Sequence, residues 1–283
     1  MSRDRIHERL GRRNIRTLFV AITSVLIIFG VWFAWEFWTA FPDERTTIIT
    51  STNPIEVSSW DTKRQALTIF TISPDVFIDG VFGVGSLPAS SLFRLETMDK
   101  TKKGLLALSL QDALGTPLFI GDLSPLLRLR FAFILRTVRP DGVTRIDLSS
   151  LGAYRSVPLP DGTSVSSFDT NRFDTGVGAL LEVDSIRREG LRIRVVNTTD
   201  VVGLGNRAAR IVSHAGMVVI MVESETPAMK ECTITAKQSL WGSKSVSFIK
   251  TFFNCSVASG SEDEQAELTV RLGRDYADRF LPP

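Results

Sequence analysis

Residues 17–35, TLFVAITSVLIIFGVWFAW, form a run of 19 residues without a single charge. A helix of that length rises about 28 Å at about 1.5 Å per residue, close to the apolar thickness of a bilayer. Soluble folds rarely bury a helix that is apolar on every side for so long. The apolar character continues past Glu36 through Phe37, Trp38 and Phe41, and Pro42-Asp43-Glu44 ends it. Trp32, Trp35 and Trp38 crowd the C-terminal end, where an aromatic belt meets the lipid headgroups. A cleaved signal peptide has a shorter core and small residues at its cut site, whereas this run ends in Trp35-Glu36-Phe37-Trp38. Residues 17–41 therefore read as an uncleaved helix through the lipid bilayer.

Ahead of the run stand Arg3, Arg5, Arg9, Arg12, Arg13 and Arg16, opposed by Asp4 and Glu8 alone. The positive-inside rule keeps such a tail in the cytoplasm and sends the rest of the chain outside. Tail residues 1–16 carry +4 of a total of +2, so the remainder is −2. A topology signal accounts for the arginines, and a chain without a basic excess elsewhere is not a general nucleic-acid binder. Two cysteines exclude a disulfide-dense scaffold and a four-cysteine zinc site. The two histidines, His7 and His214, leave little for histidine-based metal binding or catalysis. No metal site and no cofactor is expected.

The exported part reads as mixed α/β followed by α+β. Thr46–Ser51, Ile55–Trp60 and Ala66–Ile72 are β-branched runs, the last two joined by a turn at Asp61–Arg64. Ser86–Leu95 and Thr101–Leu114 carry helical spacing, and Gly115 fits a helix stop. Pro117–Ile120 reads as a short strand, a helix opens at Pro125, and Val143–Leu148 reads as another strand. Arg155–Gly178 is dense in Ser, Asp, Gly, Pro and Thr and reads as loop. A boundary is placed after it, giving domains over 42–186 and 187–283. In the second, Leu191–Asn197, Gly203–Ala215, Met217–Val222, Cys232–Ala236, Gly242–Phe253 and Glu267–Leu272 follow the order βαββαβ. That is the split order of ferredoxin-like domains.

The landmarks of this second domain resemble the LytR C-terminal domain family. They are Asn197-Thr198-Thr199 at a strand end, Gly203-Leu204 opening a helix, Gly216 closing it, and Leu272-Gly273-Arg274-Asp275-Tyr276 after the last strand. The resemblance covers about residues 187–280, with Thr198 standing where the family usually has glycine. In that family the domain often follows a LytR–CpsA–Psr (LCP) domain behind one membrane helix. LCP enzymes move polyprenyl-pyrophosphate-linked glycopolymers to the cell wall.

Residues 55–120 are similar to the start of an LCP domain, with Glu56–Asp75 matching a strand pair that ends in Ser-Ile-Pro-Arg-Asp. Aligning Asp75 to the family aspartate puts Pro74 where the arginine belongs. The upstream acidic segment and the later Arg/His-rich motif have no counterpart. A pyrophosphate site needs several fixed cations and a metal-holding carboxylate. The resemblance thus implies a degenerate LCP-like domain that binds or scaffolds at the cell wall, anchored in the cell membrane. The alternative is a transferase that keeps Asp75 in a rearranged site. A 16-residue tail leaves little for a third reading, a sensor reporting to a cytoplasmic partner. Partners implied are wall glycan or envelope proteins.

Other motifs carry less chemistry. Gly203-x-Gly205-x-x-Ala208 with Glu223 formally matches a dinucleotide fingerprint. Thr198–Val202 intervene between strand and glycine, and the domain is too short for a doubly wound sheet. A weaker version keeps Asn197, Thr198, Gly203 and Gly205 as an acidic- or sugar-ligand site at a helix start. Asp75 and Asp79 read as loop acids rather than a catalytic pair. Arg128, Arg130, Arg136 and Arg139 read as a solvated basic stripe, and convergence of any of them on Asp75 would favour the transferase. His214 reads as complementing the end of its own helix. Cys232 opens a strand and Cys255 follows the helix after it, an arrangement that returns the two thiols toward each other. A disulfide is expected on the oxidising side, with two buried free thiols as the alternative.

Overall fold

A computed structural model of the chain describes residues 23–24, 27–32, 34, 45–117, 125–260 and 265–281. In chain order it runs β1 (Arg45–Thr52), β2 (Ile55–Asp61), β3 (Ala66–Ile72), β4 (Phe77–Gly80), β5 (Gly85–Pro88), α1 (Ala89–Met98), α2 (Leu105–Leu114) and α3 (Pro125–Thr137). Then follow β6 (Val143–Asp147), β7 (Tyr154–Pro158), β8 (Ser164–Phe168), α4 (Thr170–Val177) and α5 (Asp184–Glu189). The chain closes with β9 (Arg192–Asn197), α6 (Leu204–His214), β10 (Val218–Ser224), β11 (Thr233–Ala236), α7 (Lys244–Phe253), β12 (Ser256–Ser259), β13 (Leu268–Leu272) and α8 (Arg274–Ala277). The chain divides into two compact units, Met1–Pro42 with Leu123–Thr137, and Asp43–Asp122 with Val138–Pro283.

In the first unit, residues 23–24, 27–32 and 34 are helical and exposed. The remainder of the 17–41 run and tail 1–16 lie outside the described residues. Among the described residues no helix is long and apolar enough to cross a membrane. The strand expected at Pro117–Ile120 also falls mostly outside them.

The second unit carries three sheets, ordered β1-β2-β3-β6, β5-β4-β8-β7 and β10-β9-β13-β11-β12. The mixed α/β reading holds. In the first sheet β1, β2 and β3 run antiparallel, and β6 returns parallel to β3. The expected Asp61–Arg64 turn joins β2 to β3. Asp61 Oδ1 accepts the amides of Lys63 and Arg64 at 3.0 and 2.9 Å, and Oδ2 pairs with buried Arg45 at 2.9 Å. The stretch 155–178 is not loop. It forms the β7–β8 hairpin and helix α4, in which Val157, Val165 and Phe168 turn inward between exposed Ser156, Ser164 and Ser166.

The third sheet corrects the split arrangement. β9 and β10 are adjacent and parallel, and so are β11 and β12. Two βαβ units, β9-α6-β10 and β11-α7-β12, therefore stand side by side, and β13 enters between them, parallel to β9 and antiparallel to β11. The pattern misleads because β12, Ser256-Val-Ala-Ser, is four residues of small, largely exposed side chains without an apolar signature. Buried residues from Ile55 to Phe280 form one hydrophobic cluster that runs through 42–186 and 187–283 alike.

Cys232 and Cys255 precede the paired residues Thr233 and Ser256 of β11 and β12. Their Cα atoms lie 4.4 Å apart and a disulfide joins them. With a sequence separation of 23, the cross-link removes loop-closure entropy from the unfolded chain worth about 3 kcal/mol. The Cys232→Ala/Cys255→Ala variant should lose about that much unfolding free energy, read from denaturant titration against the oxidised parent. An unchanged midpoint would show the bond to be neutral.

Candidate functional site: two clefts beside the β4–β8 pair

Helix α2 sets the site. Its residues are buried on every side except at Asp112, the pattern of a central helix. A helix end leaves four carbonyls without intrahelical partners, and a buried end needs them supplied. Helix α6 supplies them from two positions one turn apart. Arg210 Nη1 and Nη2 donate to the carbonyls of Asp112 and Ala113 at 2.7 and 3.1 Å. His214 Nδ1 lies 3.1 and 3.0 Å from the carbonyls of Leu114 and Gly115. His214 thus complements the end of α2 rather than that of its own helix. Gly115 makes room for this. Its φ is +59°, and a Cβ there would lie 2.9 Å from His214 Nδ1.

Asp174 of α4 ties the two side chains together. Its carboxylate accepts from Arg210 Nε and Nη2 at 2.8 and 2.7 Å, and His214 Nε2 lies 3.3 Å away. Burial alone would raise the Asp174 pKa, but the hydrogen bonds and charges of Arg210 and His214 outweigh it and hold it below its ordinary value.

In front of this clamp opens a cleft of about 470 Å³, lined by Asp79, Asp112, Arg155, Arg207 and Arg210 together with Phe77, Val157, Val165, Ser86, Ser167 and Thr170. Arg207 Nε lies 3.5 Å from the Asp112 carboxylate, and its guanidinium stands over the Phe280 ring at 5.3 Å. Burial pushes the Asp112 carboxyl above its ordinary value. Arg207 and Arg210 oppose that and Asp79 reinforces it. Arg155, on β7, is exposed at the cleft and has no ion-pair partner among the described residues. A perturbed carboxyl and an open guanidinium in one cleft mark a functional candidate. Sequence reading missed it because its charges come from β4, α2, β7 and α6, from Asp79 to Arg210.

Asp75 lines a second cleft, of about 520 Å³, with Ser73, Ser149, Tyr154 and Ser166 and without an arginine. Exposed Arg139 does not join it. Pro74 and Val76 accept the Ser90 and Ala89 amides at 3.0 and 2.9 Å, so this segment caps the start of α1. Near the start of α6, Asn197 and Thr198 of the expected ligand site make internal hydrogen bonds. Asn197 donates to the Val201 carbonyl at 2.9 Å and accepts from the Thr199 amide and hydroxyl at 3.0 and 2.8 Å. Thr198 donates to the Leu272 carbonyl at 2.7 Å and accepts from the Met229 amide at 3.2 Å. Gly203 holds a left-handed φ of +80°, and a Cβ on Gly205 would come within 3.0 Å of Val222. Asp79 sits in the arginine cleft instead of pairing with Asp75. Among the described residues no group of three or more His, Cys, Asp or Glu is placed to hold a metal ion.

Two outcomes follow from this geometry. Arg210→Ala strands two buried carbonyls and the Asp174 carboxylate. With each orphan costing about 1–3 kcal/mol, unfolding free energy should fall by at least about 2 kcal/mol, and Arg210→Lys should not restore it. For Asp112 the raised folded-state pKa means that the neutral acid is the favoured form. Its contribution is present below the ordinary carboxylate value and lost as pH rises through the raised one. Asp112→Asn should therefore melt higher than the parent at pH 7 and lose that advantage in acid. A lower melting temperature at neutral pH would instead show the Arg207 pair to dominate.

No protein-family model matches the chain, and none of the curated proteins matches it. Among solved structures it is similar to the transcriptional regulator yvhJ from Bacillus subtilis, at 9% identity and a TM-score of 0.35, over 50% of this chain and 97% of that one. TagT from B. subtilis is similar at 8% identity and a TM-score of 0.31, over 47% of this chain and 86% of that one. The LytR-CPS2A-psr family protein YwtF (TagT), solved with a bound octaprenyl pyrophosphate lipid, gives 9% identity and a TM-score of 0.22, over 84% and 86%. Likenesses of this degree do not establish a shared fold or activity.

Proposed function

We propose that this chain is a single-pass membrane protein whose exported body binds an anionic envelope glycan in the arginine-lined cleft without turning it over. The 17–41 run supplies the anchor, and residues 187–283 form a LytR C-terminal-type domain packed onto a degenerate LCP-like one. The observation that carries the reading is the division of labour among the cleft's cations. Arg207 and Arg210 are neutralised by Asp112 and Asp174, while Arg155 remains open. One open guanidinium beside hydroxyls and apolar side chains suits recognition of a charged sugar. Pyrophosphate transfer needs several unneutralised cations at one point, and among the described residues none lines the Asp75 cleft.

A second reading has its own observation. The Asp112 carboxyl, raised by burial beside Arg207, is the kind of group that moves a proton in catalysis. It supports a transferase acting on polyprenyl-pyrophosphate-linked glycopolymer.

One experiment separates the two. The full chain, reconstituted in nanodiscs, is titrated with purified anionic wall glycopolymer and separately incubated with a polyprenyl-pyrophosphate-linked glycan. Binding should weaken at least about tenfold in Arg155→Ala, the loss of one charge-assisted contact, with no release of lipid product. Turnover that disappears in Asp112→Asn would overturn the binding reading in favour of the transferase.

A further inference from the structure

Helix α3 (Pro125–Thr137) belongs to the same compact unit as the 17–41 run. Its sequence, PLLRLRFAFILRT, carries three arginines and no acid, and none stands in 123–140. Phe131 and Ile134 are buried, three residues apart on one face. Leu129 is 55% exposed, Phe133 52% and Leu135 42%. Leu129 and Phe133 are one turn apart, so they share a face, and Arg136 is exposed on that same side at the spacing of a further turn. Thr137 closes the helix by donating to the Phe133 carbonyl at 2.9 Å.

An exposed helix face of large apolar side chains with Arg136 beside them, on a helix free of acids, is costly in water. It is the composition of a helix that lies in a bilayer interface, apolar side chains entering between the headgroups and arginines meeting anionic lipid. We infer that α3 is a second membrane contact, a helix lying on the exported face of the bilayer against anionic headgroups. The inference rests on reading residues 17–41 as the anchor. Its occupant follows from two features: α3 groups with the anchor rather than with the exported body, and its charge is of one sign.

The test uses the full chain carrying Leu129→Cys, labelled with an environment-sensitive dye while the native cystine stays closed. It is reconstituted into vesicles of phosphatidylcholine alone and with about one-third phosphatidylglycerol, each doped with spin-labelled lipid. Dye quenching should be at least about twofold greater in the anionic vesicles, should fall with added salt, and should lose the difference in Arg128→Gln/Arg130→Gln/Arg136→Gln. Ala132→Cys serves as a second labelling site should the first disturb folding. Flotation of the chain with the vesicles reports the anchor independently. Flotation without quenching in either lipid overturns the interfacial helix and leaves the anchor standing. Quenching equal in both lipids and indifferent to the arginine changes overturns it too, as does a dye shielded by cross-linkable contact with a second copy. A chain that does not float removes the anchor and the inference together.

Discussion

The buried C-terminal end of α2 is the constraint on which the rest of the body depends. A helix buried on every side but one has to sit in the centre, and its last carbonyls then face protein rather than water. Arg210 and His214 answer them from one stripe of α6, and Asp174 holds both side chains in place from α4. Three helices drawn from residues 105 to 214 are thereby locked by polar geometry inside an apolar cluster. The arginine-lined cleft exists because α2 and α6 are held end to side, with Asp112 and Arg207 left over at the rim of the same contact.

Much of the fold was legible in the residues. The β1–β2–β3 meander, the helical spacing over 105–114 with its glycine stop, and every element of the 192–214 segment follow from period and punctuation. What was not legible has physical causes. The β7–β8 hairpin is polar on its outward face and reads as loop, and β12 is too short and too small-chained to show a period. Strand order escapes any local reading, since β13 chooses its neighbours through contacts with β9 and β11 far away in the chain. The site was the least visible part. Its charges converge only in three dimensions, on elements far apart in the chain.

Among the landmarks that carry the family resemblance, Tyr276 is wholly buried between Phe253 and Phe280, with ring centroids 4.8 and 5.4 Å away, and burial raises its phenol pKa. Asp275 accepts the Cys232 amide at 3.3 Å and so pins the start of β11 beside the disulfide. Gly216 lies within 3.0 Å of Arg187 for any added Cβ. These residues specify a packing arrangement.

The place of β13 in its sheet has a consequence for the order of events in making the protein. Within the sheet the two βαβ units are joined through this strand, which follows all four of their own strands in the chain. Until residues 268–272 are in place, β9 and β11 have no common neighbour, and the two halves of the sheet each present an open edge. Closure of the sheet is therefore a single event that waits on the strand that follows the other four in the chain. Any helper that shields strand edges has its work confined to the interval before that strand arrives.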